Sequence, residues 1–259
     1  VYLNQFLSDP RVIELPKILW QILLKFVILQ IRPSRSAESY KKIWTNKGSP
    51  LLDIANRQLN KIQSEFPFSY YATPSELLRA DIYFAQKNFQ EAAASYKIFL
   101  DLHPRHKRES YVLYKLSESY FNQLPSTHDR DLESGEKAII SYKRLLRKFP
   151  NSSFVKEAKS KINTCKEMIK LKEMYIADFY FRTEVFVSAR YRYLGIIKSY
   201  KEKPLINLAI ERVLLSSYSL KEFSKCSKHY KNYRNLVSGE YKSKIEKLGE
   251  KCKQALKSS

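Results

Sequence analysis

Helix breakers are scarce in this sequence, with 5 glycines and 10 prolines in 259 residues. So few interruptions exclude a turn-rich β architecture and leave room for long helices. Cysteine is nearly absent too. Cys165, Cys226 and Cys252 lie far apart and form no CxxC pair, which argues against a zinc site and against a disulfide framework. The four histidines are equally poor material for a metal centre. His103 and His106 flank Pro104 in a loop with no Cys, Asp or Glu expected beside them, so both are read as surface residues. Neither a metal nor a cofactor is expected. Long apolar runs are also missing. The most apolar segment, Ile18 to Leu29, falls short of the ~20 residues that a bilayer span needs. Gln21 and Lys25 interrupt it at a spacing that puts both on one helix face, as in a buried or membrane-lying amphipathic helix, of which burial is the expectation.

Acidic residues are outnumbered, 26 against 47 Lys and Arg, giving a formal charge of +21. The excess is spread out. Residues 1–65 hold 10 basic and 5 acidic side chains, and residues 66–259 hold 37 and 21. Lysine is interleaved with Glu and Ser along the chain, as on a solvated helical surface, and no nucleic-acid-binding motif accompanies it. No nucleic-acid partner is expected.

What the sequence does contain is a repeat. Tyr96 follows Ala92 by four, and Pro104 closes the segment 94–104; Tyr142 follows Ala138 by four, and Pro150 closes the segment 140–150. A third copy has Ala189, Tyr193 and then Tyr200. Each is preceded by a helix with a small residue and two aromatics: Ala80, Tyr83 and Phe84; Ser117, Tyr120 and Phe121; Ala177, Tyr180 and Phe181. A weaker fourth copy runs from Leu205 to Leu236, with Tyr218, Cys226 and Tyr230 at the corresponding places. A small residue lets two antiparallel helices approach closely, an aromatic one turn on fills the adjoining gap, and proline ends the second helix. One hairpin alone cannot bury its apolar face, so such units stack. The pattern resembles the tetratricopeptide repeat, and the expected fold is all-α, a tetratricopeptide-like helical-hairpin superhelix preceded by a helical leader. The spacing of Ala55, Leu59 and Pro67 matches that of Ala92, Tyr96 and Pro104. A helix from about Leu52 to Glu65 is therefore expected as the second helix of an incomplete first unit.

Over about 63–236 the chain is similar to the BamD family, repeat lipoproteins of the outer-membrane assembly machinery. The resemblance rests on the insertion at 122–134 with Asp129, Arg130 and Asp131, on the Phe149-Pro150-Asn151-Ser152-Ser153 turn, and on Ala177-x-Phe179-Tyr180 leading to VSARYRYLGIIKSY. The last stretch places Arg192 and Gly195 on the family's Arg-x-x-Gly segment. The resemblance implies a non-catalytic protein-binding scaffold on the periplasmic side of the outer membrane. Its C-terminal repeats would dock outer-membrane assembly proteins and its N-terminal repeats would receive unfolded β-barrel substrates. Arg192, Arg190 and Gly195 are the candidate partner surface, with Asp129 and Asp131 in the inserted loop. The sequence begins at Val1 with no recognisable signal or acylated cysteine, so membrane association is expected only through a lipid anchor absent from it, or through partners.

Residues 1–59 carry none of the repeat signature. They resemble the N-terminal part of ferrochelatase through FLSDPRV (6–12), LPKILW (15–20), IRPSRSAESYKKIW (31–44) and GSPLL (48–52), in the family's order. The resemblance implies that Arg32, Tyr40 and Ser49 are vestiges of a porphyrin site. Arginine can pair with a propionate, and a helix N-terminus beyond Gly48 can receive an anion. The His and acidic residue that insert the metal belong to a later part of that family, which this sequence lacks, so no working chelatase is expected. The expected division is a ferrochelatase-like fragment at 1–59 and a repeat domain at 60–259. The alternative function is a truncated ferrochelatase-like protein of haem biosynthesis, which would be cytoplasmic.

Overall fold

The computed structural model describes residues 72–258, together with 55–57, 59, 60, 64 and 65. The porphyrin-site candidates Arg32, Tyr40 and Ser49, and the apolar run from Ile18 to Leu29, lie outside the described residues. From residue 72 onward the chain folds as α1 (Ala72–Ala85), α2 (Phe89–Leu102), α3 (Glu109–Phe121), α4 (Glu133–Lys148), α5 (Val155–Arg182), α6 (Phe186–Ser199), α7 (Lys203–Ser219), α8 (Phe223–Tyr233) and α9 (Tyr241–Ser258). A single 3-10 turn, Arg234–Leu236, precedes α9, and the described residues contain no strand. The fold is all-α, as the repeat pattern predicts. Residues 55–57, 59, 60, 64 and 65 are helical as well, and Leu59 is buried. Arg79 of α1 donates to Asn60 Oδ1 at 3.1 Å, so the expected helix before α1 is present in those residues.

The chain forms two compact units. The first holds the described residues up to Leu124 with Leu132–Cys165, and the second holds Pro125–Asp131 with residues from Lys166 on. In the first, α2 packs on α1 and α3, and α4 on α3. The repeat residues Ala80, Ala92, Tyr96, Ala138 and Tyr142 lie at its centre, and Ala158, Ile162 and Cys165 from the start of α5 complete it. In the second, Ala177, Ala189, Tyr193, Cys226 and Tyr230 occupy the same places in the core. Every small residue the repeat requires is completely buried, including Ser117.

Within three hairpins the chain turns in the same way. Asn88 N–H donates to the Tyr83 carbonyl, Val185 to Tyr180 and Glu222 to Ser217, each spanning five residues. The residue before each donor has positive φ: Lys87 at 60°, Glu184 at 59° and Lys221 at 56°. This is the Schellman ending of an α-helix, with a charged side chain where glycine is usual. An aromatic pair brackets each turn, with ring centroids 5.4 Å apart for Phe84–Phe89, 5.7 Å for Phe181–Phe186 and 5.4 Å for Tyr218–Phe223. The hairpin of α3 and α4 departs from this because the insertion replaces its turn.

Two expectations are corrected here. Cys226 and Cys252 are joined in a disulfide, which ties α9 to α8, whereas Cys165 is free and buried. The pair was invisible to spacing rules because α9 folds back over the fourth hairpin, bringing together residues 26 apart in sequence. His103 is not a bare surface residue either. Its Nε2 lies 2.8 Å from Glu76 Oε2, contributed by α1 from 27 residues upstream, and its ring packs on Phe99. No group of three metal-ligating side chains occurs among the described residues.

Gly249 shows how closely α9 packs. A Cβ there would stand 2.4 Å from Cδ2 of Tyr230, at the stiff base of the ring. Alanine would gain about 1 kcal/mol in helix propensity, but the overlap costs more than that because the disulfide restrains α9 from moving away. Gly249→Ala is expected to lower stability by about 1–2 kcal/mol in urea unfolding, within the range for overpacking.

Candidate partner-binding face

The geometry of α6 starts from the residues that fix it. Tyr193 is fully buried and its hydroxyl donates to Asp178 of α5. The same bond recurs in the first unit, where Tyr96 donates to Asp81 at 2.5 Å and Tyr142 donates to Glu118. In each of these three hairpins, then, the second helix is fastened to the first by a buried phenol on a carboxylate. The acid always follows the small residue directly: Ala80-Asp81, Ser117-Glu118, Ala177-Asp178. That signal is in the sequence, yet the aromatic spacing alone does not expose it. In the fourth hairpin the corresponding position is Leu215, and Tyr230 lies instead against Gly249.

All three phenols are pushed far above their ordinary range, by burial first and then by the neighbouring carboxylate. In the unfolded chain they ionise near pH 10, whereas in the folded chain they keep their protons. Their contribution is therefore complete below pH 10 and is lost as pH rises above it. Each adds a slope of up to about 1.4 kcal/mol per pH unit. Urea unfolding between pH 9 and 11.5 is expected to show this loss, with Tyr142→Phe removing one such slope.

Arg190 faces inward, contrary to its expected place on the partner surface. It is 9% exposed, and its guanidinium donates to Ser217 Oγ at 3.3 Å and to the Glu222 carboxylate. Glu222 is held below the usual carboxylate range by Lys225 and then by Arg190. Arg190 is thus a tie between α6 and the α7–α8 turn, because its helical position points it into the next hairpin rather than out to solvent.

The neighbouring positions point outward. Val187 is 58% exposed and Tyr191 is 75% exposed, and Arg192 beside them is exposed too. Gly195 continues the four-residue spacing of Val187 and Tyr191, and a Cβ placed there would meet nothing within 4 Å. No turn or positive φ requires glycine at this position. Its effect is to leave the helix backbone bare between exposed side chains. Tyrosine and arginine are, with tryptophan, the residues enriched at binding hot spots.

Asp129 and Asp131 are exposed in the inserted loop. The Asp129 carboxyl is held below its ordinary value by the Thr127 side chain and by its own backbone N–H, so it braces the loop locally. The loop is also fastened to α5. Lys172 Nζ donates to the Arg130 carbonyl at 2.6 Å, and the His128 ring lies 5.7 Å from that of Tyr175.

Comparison with known proteins agrees with both resemblances. Ferrochelatase 2 of Shewanella oneidensis is 52% identical over 64 residues, covering 25% of this chain and 20% of that protein. The ferrochelatase of Shewanella denitrificans is 58% identical over 62 residues, covering 24% and 18%. The ferrochelatase of Haemophilus influenzae is 32% identical over 168 residues, covering 54% and 52%. The chain thus spans about a fifth of the length of the first two relatives and about half of the third. The family model of the outer membrane lipoprotein YfiO matches residues 34–232, which contain all the repeat residues and the whole of α6. The match covers most of the sequence, and the chain belongs to the YfiO family of outer membrane lipoproteins.

Proposed function

We propose that this chain is a non-catalytic scaffold of outer-membrane β-barrel assembly, acting from the periplasmic side of the membrane. It docks another assembly protein through the outer face of α6, and the hairpins of the first unit receive unfolded barrel segments. The observation that carries this reading is the exposed set of Val187, Tyr191 and Arg192 around the bare backbone of Gly195. Arg190 and Tyr193 serve as positioning residues, since their bonds to Glu222 and Asp178 hold α6 in place from behind. The Cys226–Cys252 disulfide supports the location, because disulfides persist in oxidising compartments such as the periplasm. In this reading attachment runs through a lipid anchor or through partners; no helix among the described residues is long and apolar enough to cross a membrane. The proposed division is a ferrochelatase-like piece at 1–59 and the repeat domain at 60–259. The family match from residue 34 crosses that boundary.

The test is co-purification of outer-membrane assembly proteins with tagged chain from source cells. Tyr191→Ala combined with Arg192→Ala is expected to reduce the captured partner about tenfold or more, as loss of two hot-spot side chains does. Retention of the partner at the wild-type level would remove α6 from the interface.

A second reading is favoured by the 52% identity to a ferrochelatase over the N-terminal segment. It makes the chain a truncated, inactive ferrochelatase-like protein that grips a porphyrin through Arg32, Tyr40 and Ser49. Titration of a porphyrin with micromolar protein decides it, and an unchanged absorbance band removes it.

A further inference from the structure

A cation sits over the outer aromatic of the first helix in each of three hairpins. Lys115 Nζ lies 4.4 Å from the ring centre of Phe84, Lys161 Nζ lies 4.1 Å from that of Phe121, and the Arg212 guanidinium lies 4.2 Å from that of Phe181. At the second of these places the charge is answered within the chain, for Lys161 pairs with Glu118 at 3.5 Å. At the third it is not. Arg212 forms no ion pair among the described residues, and its Nε is buried without a hydrogen-bond partner. Asp178, which lines the same cavity, accepts the hydroxyl of Tyr193 and makes no ion pair with Arg212.

This guanidinium opens on a cavity of about 690 Å³ between α5, α6 and α7. Arg182 contributes a second guanidinium to the wall, and Glu184 in the α5–α6 turn is the remaining acid beside Asp178. The rest of the lining is mainly apolar: Tyr175, Phe181 and Phe186 on one side, Leu208 and Leu215 on the other. An arginine stacked on an aromatic ring is pre-oriented, so that its planar fork meets a carboxylate with little further loss of freedom. The residues from 166 on also hold 21 Lys and Arg against 10 Asp and Glu, so an acidic segment is drawn toward this unit.

We propose that this cavity binds a carboxylate carried by a partner polypeptide, with Arg212 as the pairing residue, Arg182 as the second cation and the aromatic walls holding an adjacent apolar side chain. The proposal uses none of the exposed residues of α6, so it stands or falls separately from the docking face. The carboxylate belongs either to an Asp or Glu side chain or to a chain terminus, and two probes separate these sources.

The experiment is fluorescence anisotropy on the full chain with three labelled hexapeptides of Leu, Tyr and Ser. One carries a single Glu and an amidated C-terminus, one has no acid but a free C-terminal carboxylate, and one replaces the Glu with Gln and is amidated. At least one carboxylate probe is expected to bind at micromolar concentration, and the Gln probe about tenfold more weakly. Arg212→Gln should lose about tenfold, whereas Lys247→Gln, an exposed change on α9, should stay within about twofold. Arg212→Lys keeps a charge over Phe181 but lacks the fork; it should retain the helical circular dichroism of the wild type and still bind more weakly. Which carboxylate probe binds identifies the source. Absence of binding by both carboxylate probes, equal binding of the Gln probe, or equal losses in Arg212→Gln and Lys247→Gln would overturn the proposal.

Discussion

Asp81→Ala is expected to destabilise the first unit by about 3 kcal/mol. The Asp81 carboxylate accepts from Tyr96 at 2.5 Å and from Tyr111 at 2.9 Å, so it fastens α1 to both α2 and α3. Its removal leaves the wholly buried Tyr96 hydroxyl and the half-buried Tyr111 hydroxyl without this acceptor, each a loss of roughly 1–3 kcal/mol. Part of that cost is offset. Burial pushes the Asp81 carboxyl above its ordinary range, against the pull of both tyrosines and of Arg108 and Lys115, so the folded chain already bears a penalty for the charge. Asp81→Asn keeps one acceptor and is expected to cost about half as much as the alanine change. Urea unfolding followed by circular dichroism reads both variants. A loss below about 1 kcal/mol for Asp81→Ala would mean that the phenol–carboxylate bond does not hold the hairpin.

Ala138→Leu carries the next largest effect. Ala138 is 0% exposed, in the first core where α4 packs on α3. Leucine adds three carbon atoms at a point of close helix approach. The helices must separate or the side chain must leave its preferred rotamer, at a cost of about 2–3 kcal/mol. Ile140, two residues on, is 68% exposed, and Ile140→Leu supplies the control with little or no change. An unchanged unfolding midpoint for Ala138→Leu would show that the small residue is not at the helix contact and that the repeat register is wrong.

The parts of the fold legible in the sequence are those set by local spacing. Ala92 with Tyr96, Ala138 with Tyr142 and Ala189 with Tyr193 are all buried where the repeat puts them, because residues four apart share one face of a helix. Even the weak fourth copy was recoverable, with Cys226 and Tyr230 in the core. Features that depend on chain folding back were not legible. The disulfide joins residues 26 apart, His103 meets Glu76 across 27, and Arg190 meets Glu222 across 32. Local periodicity says nothing of such pairs. The acids Asp81, Glu118 and Asp178 fall between these cases. They recur at a fixed place in the repeat, but polar residues on a helix are ordinarily solvated, and only the buried phenol opposite marks them as structural. For the candidate face, resemblance marks Arg192 and Gly195, whereas Val187 and the 75% exposure of Tyr191 follow only from the packing of α6.

The central claim is that the outer face of α6 meets another protein of the outer-membrane assembly machinery. A photo-activatable phenylalanine analogue placed at Tyr191 in the source cells tests it most directly, with the same residue at exposed Ile98 of α2 as the comparison. The account predicts a cross-link from position 191 to an outer-membrane assembly protein, absent from position 98 and lost when Arg192 is replaced by alanine. A chain that reaches the periplasm yet gives no cross-link from 191, or gives the same product from both positions, would contradict it.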